Sequence, residues 1–157
     1  VAHIAGPGGS RDVAVEDFCT GPSQTVLKNG ELLVSISMPR PPSNFGAAYT
    51  RFIPRNEMDI AVAGVGVSVI LDSSGQNFVS ARIALASVGP TPILASAAGN
   101  SLAGKPVNDD TIAAAAALAS DASTPITDMR GTIAQRKQLI NVLTGRMINQ
   151  AVERARG

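Results

Sequence analysis

Tryptophan is absent from this 157-residue chain, and cysteine, histidine and tyrosine occur once each, as Cys19, His3 and Tyr49. A single cysteine excludes an internal disulfide, and one cysteine with one histidine leaves no pair at metal-ligand spacing. An iron–sulfur cluster, which takes about four cysteine ligands, has no place on such a chain. Charge of one sign is lacking too: 13 basic against 12 acidic side chains leave a formal +1. With aromatics at 3% there is neither a basic stripe nor the interleaved rings of a nucleic-acid reader. Long hydrophobic runs are missing as well. The longest apolar stretch, Ile60 to Leu71, is interrupted by Gly64, Gly66 and Ser68 and falls short of the roughly 20 residues that span a bilayer. The opening VAHIAGPGGS has no basic segment leading into an apolar one, so it does not read as a secretory signal, and the expected location is the cytoplasm. It also lacks a starting methionine, which makes a piece of a longer polypeptide the expectation.

What is present is ample apolar material, 45% against 16% charged, enough for one medium domain or for a small domain with part of another. Residues 1–45 are rich in Gly, Pro and Ser with short β-like runs between them. Arg11 to Val15 alternates as a half-buried strand does, Lys28-Asn29-Gly30 signals a turn, and Glu31 to Met38 follows as a strand. Pro39, Pro41 and Pro42 stop that strand, since proline cannot donate to a ladder, and they mark the expected boundary between 1–38 and 39–157. Strands are next expected around Tyr49 to Ile53, from Val62 to Leu71, and, after the Asp72-Ser73-Ser74-Gly75 turn, from Phe78 to Val88. Helices take over beyond Gly89-Pro90-Thr91-Pro92. They are expected over Leu94 to Leu102 with an exit near Gly104, over Asp110 to Ser120 capped by Asn108 or Asp109, and over Thr132 to about Arg154. The last has an apolar stripe of Ile133, Ile140, Leu143, Met147 and Ala151, with Arg136, Lys137, Arg146 and Arg154 off it. Strands first and helices afterwards give the α+β class: a three-stranded antiparallel sheet carrying a helical bundle, preceded by other strands.

Most chemistry-bearing residues have a plain structural reading. Gly6-Pro7-Gly8-Gly9 has a phosphate loop's flexibility but no Lys-Ser/Thr after it, so an ordinary turn is expected. His3 reads as a surface histidine, and Cys19 as a buried spectator thiol, because nothing cationic lies near it in the sequence to favour the thiolate. A Ser-His-Asp arrangement would have to recruit His3, and no spacing points to one. The segment Tyr49-Thr50-Arg51-Phe52-Ile53-Pro54-Arg55-Asn56-Glu57-Met58-Asp59 differs, concentrating the only tyrosine, two arginines and two acids at a strand end. On its own terms this is either an ion-pair network or the edge of a ligand site.

Several segments, taken in order, resemble the FAD-binding medium subunit of the xanthine oxidase and aerobic carbon monoxide dehydrogenase group of molybdenum hydroxylases. They are Gly6-Pro7-Gly8-Gly9-Ser10-Arg11, Gly21-Pro22 through Thr25-Val26-Leu27, Gly30-Glu31-Leu32-Leu33 closing at Met38-Pro39, Ala48-Tyr49-Thr50-Arg51-Phe52, Met58-Asp59-Ile60-Ala61-Val62, Ala81-Arg82-Ile83-Ala84-Leu85, Val88-Gly89-Pro90-Thr91-Pro92 and Met129-Arg130-Gly131. The resemblance implies that residues 1–38 are the last strands of an FAD-binding α+β subdomain and that 39–157 are the C-terminal domain of the flavoprotein subunit. It implies FAD as cofactor, with Tyr49 against the isoalloxazine ring, Arg51 at a flavin-contacting position that is usually Lys, and Leu33 touching FAD. It further implies a large partner subunit with the molybdenum cofactor, a small iron–sulfur partner, and electron relay through FAD to NAD, oxygen or another acceptor. The family's two pyrophosphate-cradling glycine loops lie upstream of this region, so this stretch alone is expected to bind FAD weakly or not at all. The alternative is a non-catalytic domain that packs against and docks the other subunits.

Overall fold

Three prolines within four residues deny the chain consecutive ladder donors, and there it parts into two units, Val1–Pro41 and Pro42–Gly157, in a computed structural model that describes all 157 residues. The division lies inside the proline-rich stretch, three residues past the expected 38/39 boundary.

In the first unit β1 (Ala2–Gly6) and β2 (Gly9–Val13) form a hairpin across Gly6-Pro7-Gly8-Gly9, where Gly9 takes φ 107°. The glycine run is thus a hairpin turn. A four-residue helix, α1 (Val15–Phe18), and a small hairpin of β3 (Cys19–Gly21) and β4 (Gln24–Thr25) precede β5 (Leu32–Ile36). Sheet order is β2-β1-β5, antiparallel throughout. Arg11 pins the unit's turns: its guanidinium forks onto both Glu31 carboxylate oxygens at 2.9 and 2.8 Å and donates to the Val26 carbonyl at 2.7 Å. Ala2 and Ile4 are the unit's only buried apolar side chains, while Leu32, Val34, Ile36 and Met38 are exposed. Cys19 is exposed as well, contrary to its expected burial: it lies in a two-stranded ribbon with no layer over it.

The second unit is a meander of β6 (Phe45–Phe52), β7 (Ala63–Leu71) and β8 (Phe78–Ala86), to which β9 (Ile93–Leu94) adds a short fourth edge strand. The three expected strands are present; β9 takes Leu94, the first residue assigned to a helix, because pairing of Ile93 and Leu94 with Leu85 and Ala84 holds them extended. Alternation sets the faces. Val65, Val67, Val69 and Leu71 of β7 are buried toward the helices, each such side chain stabilising by about 1.5–3 kcal/mol. Asp72 makes the following turn, accepting from Ser74, Gln76 and Asn77. Those donors, Asn77's amide foremost, hold its carboxyl well below the usual carboxylate range.

Helices α2 (Ser96–Leu102), α3 (Asp109–Ala122) and α4 (Ile133–Arg156) cover one sheet face, α2 lying on β8, α4 on β6 and β7, and α3 between the two helices. Asn108 caps α3 by accepting from Thr111 N, and Thr132 caps α4 by accepting from Gln135 N. Two glycines let helix and strand backbones meet. A Cβ on Gly99 would come within 2.6 Å of the Ala81 carbonyl oxygen, and one on Gly46 would fall on that of Ala151. On α4, Ile140, Leu143, Met147 and Ala151 are buried as expected, whereas Ile133, in the first turn, is exposed. Arg136 is the correction: it lies on the buried stripe, not off it, at 4% exposure. Its guanidinium donates to the carbonyls of Val62 (2.7 Å) and Ser87 (3.0 Å) and to Asp128 (2.7 Å). No helix is long and apolar enough to cross a membrane.

Candidate functional site

The face of the β6–β9 sheet away from the helices is paved with small residues. Tyr49 stands opposite Gly66 and Arg51 opposite Gly64 on β6–β7, while Gly66 pairs onward with Ala84, and Ala84 with Leu94. With no side chain on Gly66, the Tyr49 ring can lie along β7: a Cβ on Gly66 would sit 3.6 Å from the ring's Cδ2, and one on Gly64 only 3.3 Å from its hydroxyl. The phenol therefore leans over position 64, on the side where Arg51 is anchored. At 62% exposure Tyr49 keeps its outward surface open. An open depression of about 460 Å³ runs beside it, floored by Gly66, Ser68 and Ala84 and bordered by Arg82, Leu94 and Arg154.

β6 is an edge strand, and its pairing decides where its backbone points. Val62 N donates to Phe52 O and Leu71 N to Asn44 O, so even-numbered residues turn their amides to β7 and odd-numbered ones turn theirs outward. Arg154 from α4 covers part of that edge by donating to Ala47 O at 2.6 Å, the kind of charged blunting that discourages indiscriminate strand addition.

Past Phe52 the polar cluster seen in the sequence divides. Asp59 is an ion-pair acceptor: Arg130 Nη1 lies 2.7 Å from it, and Arg55 stands at 4.0 Å. The Arg130 hydrogen bond, foremost, holds the Asp59 carboxyl below its ordinary range. Asp128 is likewise lowered, first by the Arg130 backbone amide and then by Arg136. Sequence reasoning gave Arg136 no part here, since a charged residue between apolar ones normally faces water; no local signal marks the carbonyls of Val62 and Ser87 that receive it. Tyr49 and Arg51 belong to the open sheet face, apart from this network. Leu33, on β5 of the other unit, is paired with Ile4 and 39% exposed.

His3 lies at the surface as expected, its side chain 36% exposed, and its ring bridges Asp12 and Ser37. The hairpin register places Asp12 opposite His3, which the sequence could have signalled only once Gly6–Gly9 was read as a two-residue turn.

A four-stranded antiparallel sheet, helices on one face and an aromatic on a small-residue floor on the other, defines an α+β domain that leaves one sheet surface for another body. Residues 48–151 match the family model described as CO dehydrogenase flavoprotein C-terminal domain, and the chain belongs to that family. It is 35% identical over 98% of its length to the carbon monoxide dehydrogenase medium chain of Afipia carboxidovorans, covering 52% of that protein. To the xanthine dehydrogenase FAD-binding subunit of Escherichia coli it is 31% identical over 99% of its length, covering 53%. Among solved structures, the reconstituted CO dehydrogenase from Oligotropha carboxidovorans superposes with a TM-score of 0.91 at 33% identity, over 98% of this chain and 52% of that one. The chain thus spans about half the length of the relatives it matches.

Proposed function

We propose that the chain is part of the FAD-carrying subunit of a molybdenum hydroxylase and that Tyr49 forms a wall beside the flavin. The observation that carries this is the phenol laid along a glycine strip with its outer surface open. A planar isoalloxazine suits such a surface, since offset aromatic contact is favourable by about 0.5–1.5 kcal/mol beyond area burial. Arg51, two positions along the same strand face, supplies positive charge there; its fork differs from a lysine's point charge in donor pattern. Leu33 contributes apolar packing, residues 1–38 being the end of the FAD-binding subdomain and 39–157 the C-terminal domain. Bound FAD would supply the electron-carrying chemistry between iron–sulfur clusters and NAD, oxygen or another acceptor. The residues of this chain orient the ring and limit access to it; none is needed as nucleophile or general acid. Molybdenum and iron–sulfur centres belong to a large and a small partner subunit in this reading.

The residues suit the ring end of the cofactor better than its phosphates. The Gly6–Gly9 turn opens into β2 and not into a helix N-terminus, and the neighbouring Arg11 is engaged by Glu31 and Val26. This chain alone is therefore expected to show no micromolar binding when FAD is titrated against it and flavin fluorescence is followed. In the full-length subunit, assembled with its partners, Tyr49→Ala is expected to change the rate of flavin reoxidation while assembly stays intact.

An assembly domain is the second reading, favoured by exposed Met58, Ile60, Ile126 and Met129, apolar side chains of a kind that marks protein contacts. Lost assembly with an unaltered flavin in the Tyr49→Ala subunit would decide for it.

A further inference from the structure

Three side chains of the Val1–Pro41 unit stand in a hydrogen-bonded line that has no part in the flavin reading. Asp12 Oδ1 lies 2.7 Å from His3 Nδ1, and His3 Nε2 lies 2.8 Å from Ser37 Oγ. Backbone register builds the line. His3 and Asp12 are directly opposed across the β1–β2 hairpin. Beyond β5, Ser37 N donates to Val1 O and Val1 N to Ser37 O, both at 2.9 Å, which brings Ser37 alongside the start of β1. Because Ala2 and Ile4 are buried, alternation turns His3 to the opposite face, where a reagent can reach it.

The tautomer follows from the partners. A carboxylate only accepts, so Nδ1 carries the proton shared with Asp12; Nε2 of the neutral ring is then an acceptor, and the Ser37 hydroxyl donates to it. Nucleophile, base and orienting carboxylate in that order are the recurrent device for activating a serine, recognised by geometry and not by chain order.

We propose that Ser37 is an activated nucleophile, with His3 as its base and Asp12 as the residue that orients the base, and that it accepts the acyl group of small activated esters. Ser37 Oγ attacks the ester carbonyl and forms the new C–O bond while its proton passes to His3 Nε2. The bond to the leaving alkoxide or phenoxide breaks, and the leaving group takes that proton. Water then attacks the acyl-serine, gives a proton to Nε2 and releases the carboxylic acid as Oγ is reprotonated. Side-chain exposures of 36% for His3 and 64% for Asp12 restrict the chemistry to unhindered donors in contact with water. The acceleration expected is accordingly at the low end of the roughly 10²–10⁴-fold given by a positioned base.

The test is to treat the 157-residue chain with a fluorophosphonate and, separately, with p-nitrophenyl acetate, following intact mass and mapping the adduct. A single adduct on Ser37 is expected, absent in Ser37→Ala. Its formation should slow about 10²-fold in His3→Gln and less in Asp12→Asn. An adduct on any other residue, or a wild-type rate in His3→Gln, overturns the proposal. Should His3→Gln disturb the sheet by circular dichroism, Asp12→Asn decides, because it keeps the shape and removes only the carboxylate.

Discussion

At Gly46 the smallest side chain is a packing requirement, because α4 crosses β6 with the Ala151 carbonyl where a Cβ would be and the Ala155 amide nitrogen 2.6 Å from it. Backbone cannot give way as a flexible side chain can, so Gly46→Ala should destabilise the second unit by about 3 kcal/mol, at the upper end of overpacking costs. A denaturant midpoint unchanged from wild type would show that α4 does not cross there. Gly64 poses a milder problem, since the nearest atoms to an added Cβ are the Ala86 methyl and the far end of the Tyr49 ring, each at 3.3 Å, and the ring can move. Gly64→Val should lift that ring and alter the near-ultraviolet circular dichroism, to which Tyr49 is the only tyrosine contributor in a chain without tryptophan. Gly66→Ala, with its ordinary 3.6 Å contact, should leave the band nearly unchanged. If both variants behave alike, the ring does not lie along the glycine strip. Tyr49 could be singled out from the sequence by its scarcity and its company. Its bed could not, because cross-strand register is set by the turn and by packing far from the ring.

Among the elements, those with long periodic patterns were legible in advance. α4 begins one residue after its Thr132 cap and β7 within one residue of the expected start, since both follow from period and capping chemistry. β1 and β9 escaped notice: five and two residues long, they are strands only because a neighbour pairs with them. Cap strength can be tested directly. Asn108→Ala removes the acceptor for Thr111 N, at 2.9 Å, and should cost about 1 kcal/mol in a thermal or urea melt. The loop that leads into β5 answers instead to pH. Arg11's fork, with the Lys28 amide behind it, lowers the Glu31 carboxyl from its ordinary 4.5 to about 2. A carboxyl lowered in the folded state adds stability that is complete above its unfolded value and is lost as pH falls through the folded one. Order in the 26–31 loop should therefore hold down to about pH 4.5 and fade toward about pH 2, with Glu31→Gln removing that dependence. Amide resonances of Lys28 and Glu31 followed through an acid titration would show it; a wild-type loop indifferent to acid would refute it.

For the molecule as a whole, the decisive asymmetry is between the cores of its two units. Ordering a residue costs about 1–2 kcal/mol of backbone entropy, and burial must offset that. The 42–157 unit has a continuous core running from Ala48 and Ala63 through Phe78, Ile83 and Leu85 to Ile140, Ile148 and Val152. The 1–41 unit buries only Ala2 and Ile4 among its apolar side chains, and presents Leu32, Val34 and Ile36 of an edge strand to water. Turn-pinning contacts such as the part-buried Arg11–Glu31 pair give it shape and hold one loop, yet they do not replace a buried apolar core. Local opening is governed by just such differences in buried apolar contact. Amide hydrogen exchange of the isolated chain should accordingly report two levels, with β1, β2 and β5 exchanging through low-energy openings and β7, β8 and α4 protected to near the global limit. In a full-length subunit, where apolar residues of β5 can be covered, protection of β1 and β5 should rise while that of β7 hardly changes. Equal protection of both units in the isolated chain would mean that the strands of the first are held by something other than their own core.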